Sequence, residues 1–366
     1  MKARSVSKKG RPQVILVAPV APPIGGMTRW TDLVESELMK QDVAYYTINT
    51  SPKRRDLDGQ TRLEQIIGGF QNSIRTASNL IRCRLKGRPD VIHISTSGGI
   101  SHLRDILLAL LGKSMGARVF LHLHHGRLPV VVERRCMERT CLDILTSLVD
   151  TLILLDKSSA GTARKRWIKT QVEVIPNPVR VRIPEVDKDF VNQRRIVYLG
   201  WLTTAKGIED LLEVWEALTP SYPNWHLALV GGVSDTYRKK LAQKYKAGRW
   251  LMEGEVSHAR AMTFLASSEI LVLPSYSEGF PNVILEAMSL AKPVVATRVG
   301  AMEEMLSEGG GLLVTPGSLD ELTKALSHLM TDDEYRTQTG HKGCVRVMRD
   351  YDVSAITNKY RRLWGV

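Results

Sequence analysis

Residues 274–297, PSYSEGFPNVILEAMSLAKPVVAT, set two glutamates across a loop-to-helix junction, with Glu278 in a Gly/Pro loop and Glu286 in the helix that follows. The preceding run, Glu269-Ile-Leu-Val-Leu-Pro274, is short and apolar, as expected of a buried parallel strand. Val283, Leu285 and the later apolar residues read as a helix packed on that sheet. A helix N-terminus therefore faces the crevice at the strand's carboxyl end, where open α/β sheets take ligands. The free N–H groups around Phe280 to Val283, with the helix dipole, favour an anionic group such as a phosphate. Two carboxylates beside it suit sugar hydroxyls.

Working outward, four further motifs appear in order: Pro22-Pro23-Ile24-Gly25-Gly26, Val174-Ile175-Pro176-Asn177-Pro178, Gly200-Trp201-Leu202 with Lys206-Gly207, and Leu229-Val230-Gly231-Gly232. Together with the glutamate pair, they resemble the signature of retaining, nucleotide-sugar-dependent glycosyltransferases of family 4, the group 1 glycosyltransferases, over most of the chain. The resemblance implies an α/β GT-B fold, with two Rossmann-like, doubly wound parallel-sheet domains facing a central cleft. Residues 1–180 would form an acceptor-side domain and 181–350 a nucleotide-sugar-binding domain, with the terminal helix at 351–366 crossing back to the first.

The same resemblance assigns roles. Glu286 would hold the ribose hydroxyls of the donor and Glu278 its sugar hydroxyls, while the backbone from Gly279 through Phe280 and Pro281 to Asn282 binds sugar and phosphate. Lys206 would offset charge on the departing diphosphate. Gly25 and Gly26 form the glycine loop that approaches the diphosphate and the acceptor. The family's active-site histidine falls within Phe120-Leu-His122-Leu-His124-His125-Gly126, where His124 and then His125 are favoured and His122 reads as a core residue. Apart from the resemblance, His93, in Val91-Ile-His-Ile-Ser95, is expected on the acceptor side from its place at a strand end near Gly98-Gly99. The chain departs from the pattern at Trp201, where the family usually has an arginine; the indole would pack, or stack on a base or sugar.

The 366 residues fit two domains of about 150 each, and 43% hydrophobic residues suffice for two cores. Alternating apolar runs with helix-length spacers argue for mostly parallel sheets: 14–17, 91–95, 118–123, 151–155 and 172–175 before a Pro-rich break at Pro176–Pro184, then 195–200, 226–230, 270–273, 293–296 and 311–314. The formal charge of +13 is uneven: residues 1–180 hold 29 Lys and Arg against 15 Asp and Glu, and residues 181–366 hold 22 against 23. The first half therefore expects an acidic partner surface. No zinc-finger spacing, basic-aromatic RNP run or helix-turn-helix cue accompanies the charge, which argues against nucleic acid.

Leu63, Ile67, Phe70, Ile74, Ala77, Ile81 and Leu85 recur at helical spacing, flanked by Arg75, Arg82, Arg84, Lys86 and Arg88. This amphipathic helix either packs on the sheet with a solvated basic side or attaches to an anionic membrane, with Arg134, Arg135 and Arg139 adding to the second reading. Gly68-Gly69 predicts a kink or break in it.

No apolar run approaches about 18 residues. Val14–Val20 imitates a signal peptide, but Pro19, Pro22 and Pro23 interrupt it and a first strand is preferred. Cys83, Cys136, Cys141 and Cys344 show no metal or C-x-x-C spacing and read as reduced thiols of a cytoplasmic protein. Asp-x-Asp triplets at Asp56/Asp58, Asp187/Asp189 and Asp350/Asp352 end no apolar strand, and Walker A, G-x-G-x-x-G and G-x-S-x-G motifs are missing from the sequence. Neither metal nor cofactor is expected.

The expectation is a metal-independent, retaining glycosyltransferase in surface polysaccharide biosynthesis. It would move a hexose-type sugar from a nucleotide diphosphate sugar to a lipid-linked or growing glycan, peripheral on the inner face of the plasma membrane. The alternatives are a relative acting on a free small acceptor and a catalytically silent partner that binds nucleotide sugar or glycan.

Overall fold

The structure, a computed structural model, describes residues 5–6, 13–22, 25–51, 62–181, 194–245 and 249–366. The chain divides into two compact units, Met1–Pro178 with Val353–Val366, and Val179–Asp352.

In the first unit the strands are β1 (Ser5–Val6), β2 (Val14–Ala18), β3 (Tyr45–Asn49), β4 (Val91–Thr96), β5 (Arg118–Leu123), β6 (Thr151–Leu154) and β7 (Gln171–Val174). They form one sheet in the order β1-β3-β2-β4-β5-β6-β7, with the short β1 antiparallel to β3 and the other pairs parallel. Alternation along each strand supplies two apolar faces. Ile15, Ile92 and Leu121 look toward α2 (Arg62–Lys86), α3 (Ser101–Ser114), α5 (Met137–Leu148) and α6 (Lys157–Arg166), through Leu80, Leu108, Leu142 and Ala160. Val14, Leu16, Phe120 and Ile153 look toward α1 (Gly26–Lys40) and the terminal helix α14 (Val353–Trp364), through Trp30, Val34, Tyr360 and Trp364. The helix α4 (Leu128–Glu133) follows β5.

The second unit is a six-stranded parallel sheet, β10-β9-β8-β11-β12-β13, built from β8 (Arg194–Leu199), β9 (Trp225–Val230), β10 (Trp250–Gly254), β11 (Ile270–Leu273), β12 (Val294–Thr297) and β13 (Gly311–Val314). Its helices are α7 (Ile208–Leu218), α8 (Asp235–Lys244), α9 (His258–Ala266), α10 (Asn282–Ser289), α11 (Met302–Leu306), α12 (Leu319–Thr331) and α13 (Asp333–Asp350). This order is that of dinucleotide-binding sheets, and it reverses between β8 and β11. The first unit reverses between β2 and β4, the flavodoxin-like arrangement, so the two sheets are doubly wound in different ways.

Three strands escape the sequence reading. β1 is two residues long, and β3 (Tyr-Tyr-Thr-Ile-Asn) and β10 (Trp-Leu-Met-Glu-Gly) mix polar with apolar residues near sheet edges. Helix α2 runs unbroken through Gly68 and Gly69, against the expected kink. Its buried face is Thr76, Ala77, Leu80 and Cys83, whereas Phe70, Ile74, Ile81 and Leu85 of the expected sheet-packing stripe are exposed, Phe70 by 68% and Leu85 by 82%. The expected stripe thus turns outward. The side chains of Leu63, Ile67 and Lys86, the triplets Asp56/Asp58 and Asp187/Asp189, and residues 23–24 lie outside the described residues.

Candidate active site

In the second unit the loops after β8 and β11 meet where the strand order reverses. Gly207 sits at φ +66°, and a Cβ there would stand 2.1 Å from the Pro274 carbonyl oxygen, so glycine is required for this approach. The Tyr276 N–H donates to the Ala205 carbonyl at 2.9 Å, closing the two loops on each other. The contact brings Lys206 Nζ to 2.6 Å from Glu278 Oε1, which also accepts the Ser275 hydroxyl at 2.8 Å. From a third side, Gly300 (φ +56°) would drive a Cβ to 2.3 Å from the Glu278 carbonyl oxygen, and the Ala301 N–H donates to Gly279 O at 2.9 Å. Glu278 is therefore held by its side chain and by its backbone.

Glu286 lies in the second turn of α10. Its Oε1 is 2.8 Å from Nε2 of His258, the first residue of α9, which fixes one carboxylate oxygen. Pro281 is the N-cap of α10, whose first residue is Asn282, and it supplies no side-chain capping hydrogen bond. Phe280 is half-buried, its ring centroid 6.3 Å from that of Tyr351. Trp201 is 45% exposed and lays its indole over Gly232, where a Cβ would come within 2.6 Å of the ring. Its carbonyl accepts the Tyr198 hydroxyl at 2.9 Å, and burial, with Glu278 nearby, pushes that phenol's pKa up. The indole packs on one face and leaves the other open.

The histidines of the first unit separate. His93, expected on the acceptor side, is fully buried: Trp30 stacks on it at 5.4 Å and His122 Nδ1 lies 3.3 Å from its Nε2. This expectation is corrected, because the alternating strand turns His93 inward against α1 and α14. His122 is a core residue as expected, its ring centroid 3.8 Å from that of His124. Both ring nitrogens of His124 are shielded from solvent. Burial holds His93 and His124 at about 3, and keeps His122 well below the ordinary range. His125 points elsewhere, at 9% exposure, with Nε2 3.9 Å from Glu138 Oε1 and against Gly98, whose φ of +89° leaves room for the ring. Burial, reinforced by Arg127 and opposed by Glu138, lowers His125 to about 4, so its ring is neutral near pH 7. His124 is half-buried and His125 buried, and the ring nitrogens of both are shielded, so burial turns His93 and His122 inward without choosing between these two.

Among the described residues, His102, His125 and Glu138 bring three potential metal-ligand atoms within 4.8 Å of one another. Glu138 Oε1, however, already accepts the Gly99 N–H at 2.9 Å and stands 3.4 Å from Arg127 Nη2. With a guanidinium at that oxygen, the cluster is organised as a carboxylate cradle under the Gly98-Gly99 loop.

Gly25 and Gly26 open α1 at the rim of a pocket of about 350 Å³, where the first sheet reverses between β2 and β4. Sequence reasoning missed the pocket's Ser95 and Arg104, and in the second unit it missed Ser275 and His258. Ser275 and His258 are the partners that orient the two glutamates. A histidine at a helix start 28 residues before a glutamate carries no pattern of its own, and sheet order alone brings them together.

Two curated relatives are an uncharacterized glycosyltransferase of Haemophilus influenzae, 27% identical over 220 residues (58% of this chain, 60% of that protein), and the putative teichuronic acid biosynthesis glycosyltransferase TuaC of Bacillus subtilis, 31% identical over 156 residues (40% of this chain, 38% of that protein). The matches thus span 60% or less of these relatives' length. Among solved structures, Anabaena HepE in complex with UDP and glucose shares the fold, with a TM-score of 0.72 at 16% identity over 97% of this chain and 100% of that one. Residues 182–344 match the family described as glycosyl transferases group 1, and the unit that holds Lys206, Glu278 and Glu286 is a group 1 glycosyltransferase domain.

Proposed function

We propose that the protein transfers a hexose-type sugar from a nucleotide diphosphate sugar to a hydroxyl of a lipid-linked, growing glycan, with retention of configuration and without a metal ion. The observation that carries this reading is the pair of anchored glutamates at the turning point of the second sheet, with Lys206 2.6 Å from the first and a helix N-terminus between them. Glu286, oriented by His258, would bind the ribose diol. Glu278 would bind hydroxyls of the sugar. Lys206 would exchange its partner for the diphosphate.

In the transfer, the bond from the anomeric carbon to the diphosphate oxygen breaks and its electron pair stays with the diphosphate. Lys206 and the start of α10 supply the positive field that the leaving group needs, the part a metal ion plays elsewhere. The acceptor oxygen bonds to the anomeric carbon on the face just vacated, and its proton passes to the departing phosphate oxygen. His124 or, after it, His125, both neutral near pH 7, would hydrogen-bond a sugar hydroxyl.

HepE, solved with UDP and glucose, supports a nucleotide-sugar donor, and the name of TuaC supports a place in cell-surface polysaccharide assembly. No helix among the described residues is long and apolar enough to cross a membrane. Peripheral attachment to the anionic inner face of the plasma membrane is supported by the outward Phe70, Ile74, Ile81 and Leu85 of α2 beside exposed Arg82 and Arg84, and by exposed Leu103, Leu107 and Leu110 on the neighbouring α3.

The test is a thermal-shift panel of UDP, GDP, ADP and their sugar conjugates on wild type and Glu286→Ala. Stabilisation by one nucleotide series, lost in the variant, is expected. No shift with any nucleotide would overturn the reading.

A further inference from the structure

Two kinds of contact join the loop after β8 to the loop after β11. One is ionic: Lys206 Nζ lies 2.6 Å from Glu278 Oε1 and 3.4 Å from the Ser277 carbonyl oxygen. The other is made by Tyr276. Its N–H donates to the Ala205 carbonyl at 2.9 Å, and its hydroxyl donates to Asp210 Oδ2 at 2.6 Å. Asp210 stands in the first turn of α7, shortly after Lys206 in the chain, where the helix dipole favours a carboxylate. Its neighbour Glu209 turns instead to Thr204, Tyr237 and Lys240, so the two acids of that turn hold different partners.

The two contacts differ in what a donor does to them. In the transferase reading a diphosphate takes Lys206, and the ion pair between the loops opens. The Tyr276 ties use neither Lys206 Nζ nor the Glu278 carboxylate, so they remain. Tyr276 is 46% exposed, and burial accounts for little of an aromatic residue here. Its phenol is the anchored end: the hydrogen bond to Asp210, with burial second, pushes its pKa up, so the hydroxyl stays protonated and donating near neutral pH. A short hydrogen bond to a carboxylate belongs to the stronger class. On the β12 side the same loop is fixed one residue earlier, where the Ser275 carbonyl accepts the Thr297 hydroxyl at 2.5 Å. Tyr276 supplies the matching tie on the β8 side.

We propose that Tyr276 is a positioning residue: through Asp210 it keeps the Glu278 loop in register with the Lys206 loop after the donor has opened the ion pair, so that Glu278 meets the sugar. The proposal rests on the transferase reading above and deepens it. Tyr276 acts on the sugar end of the donor through Glu278, and the nucleotide end, at Glu286 and His258, is independent of it.

Calorimetric titration tests it with UDP, GDP and ADP and with UDP-glucose, GDP-mannose and ADP-glucose, on wild type, Tyr276→Phe, Asp210→Ala, the double variant and Glu278→Ala. The bare nucleotide that binds wild type should bind Tyr276→Phe and Asp210→Ala equally well, and Tyr276→Phe should keep its melting temperature. Relative to the bare nucleotide, the hexose conjugate should bind Glu278→Ala about ten-fold more weakly, and each single variant of the tie about three-fold more weakly, the range for loss of one hydrogen bond. The double variant should lose no more than either single one, because both remove the same tie. If Asp210→Ala fails to fold, Tyr276→Phe still decides. Equal weakening of nucleotide and conjugate, which a loss of structure alone gives, overturns the proposal. So does a ratio that Glu278→Ala lowers and Tyr276→Phe leaves unchanged, and so do additive losses in the double variant. A wild type that binds no nucleotide, or a ratio that Glu278→Ala leaves unchanged, sinks the transferase reading of the site first, and this proposal with it.

Discussion

The two units solve the same structural problem with opposite materials. The second gathers its polar side chains at the turning point of the sheet, where Lys206, Ser275, Glu278, His258 and Glu286 pair with one another within hydrogen-bonding distance. The first buries its histidines in an aromatic core with Trp30, Tyr360 and Trp364, and turns apolar side chains of α2 and α3 outward. Recognition chemistry in one unit is thus ionic and at the surface. In the other, the histidine-rich motif packs largely against an aromatic core, and the outer face carries exposed apolar side chains beside basic ones.

The comparison breaks most visibly if the aromatic core is opened. Trp364 is fully buried beside Tyr360, whose hydroxyl accepts the Trp30 indole N–H at 3.1 Å. Trp364→Ala is expected to cost about 3–5 kcal/mol in the first unit. Urea denaturation should show that transition moving to lower denaturant, while the stabilisation of the second unit by nucleotide persists.

Glu278→Ala removes the partner of Lys206 and Ser275 without touching a core. Turnover should fall by about 100-fold or more, the scale set by loss of a group that acts on the reacting sugar, with little change in melting temperature. Retained turnover would dissolve the contrast between an ionic site and a structural core.

Acid separates the units by a different route. His93 and His124 are held at about 3 and His125 at about 4, with His122 also well below its ordinary value. Between these values and about 6.5 the unfolded chain binds protons that the folded first unit refuses, so its stability is full above about pH 6.5 and falls as pH is lowered. Denaturation at pH 7.5 and pH 5 should show that loss. His93→Phe, which leaves an aromatic ring in the stack with Trp30, should flatten the dependence.

The smallest effect on stability, and the sharpest on location, is expected at the outward face. Phe70→Ser with Leu107→Ser should change stability by about 0.5 kcal/mol or less, since both residues are exposed. The same pair should reduce sedimentation with vesicles that contain anionic lipid. Unchanged sedimentation would assign the apolar face to something other than a membrane.

What could be read from the chain follows the same division. β5, β11 and β13 are found at the bounds their apolar runs predict; β11, buried throughout, shows why, since a strand covered on both faces needs continuous apolar residues. The glutamate pair was legible because its whole geometry fits within one loop and the helix after it. His258, Ser95 and Arg104 were not, since sheet order brings them to their sites and leaves no local spacing to detect. Periodicity located the α2 stripe correctly but cannot say which way it faces. The helix is apolar on the outside, and small residues such as Thr76 and Ala77 fill the inner side. His93 misled for a related reason: a histidine near a strand end looks the same in sequence whether its ring turns to solvent or inward.

The glycines at 207 and 300 act as spacers of zero thickness. Between them they set the gaps from the Glu278 loop to its two neighbours, 2.1 Å and 2.3 Å being all that a methyl group would find. A site gauged in this way can change the residues that touch its ligand and still remain a site. A single methyl added at either gauge point would push Lys206 or Glu278 off register, so tolerance to substitution should be lower at these two silent positions than at several that line the site.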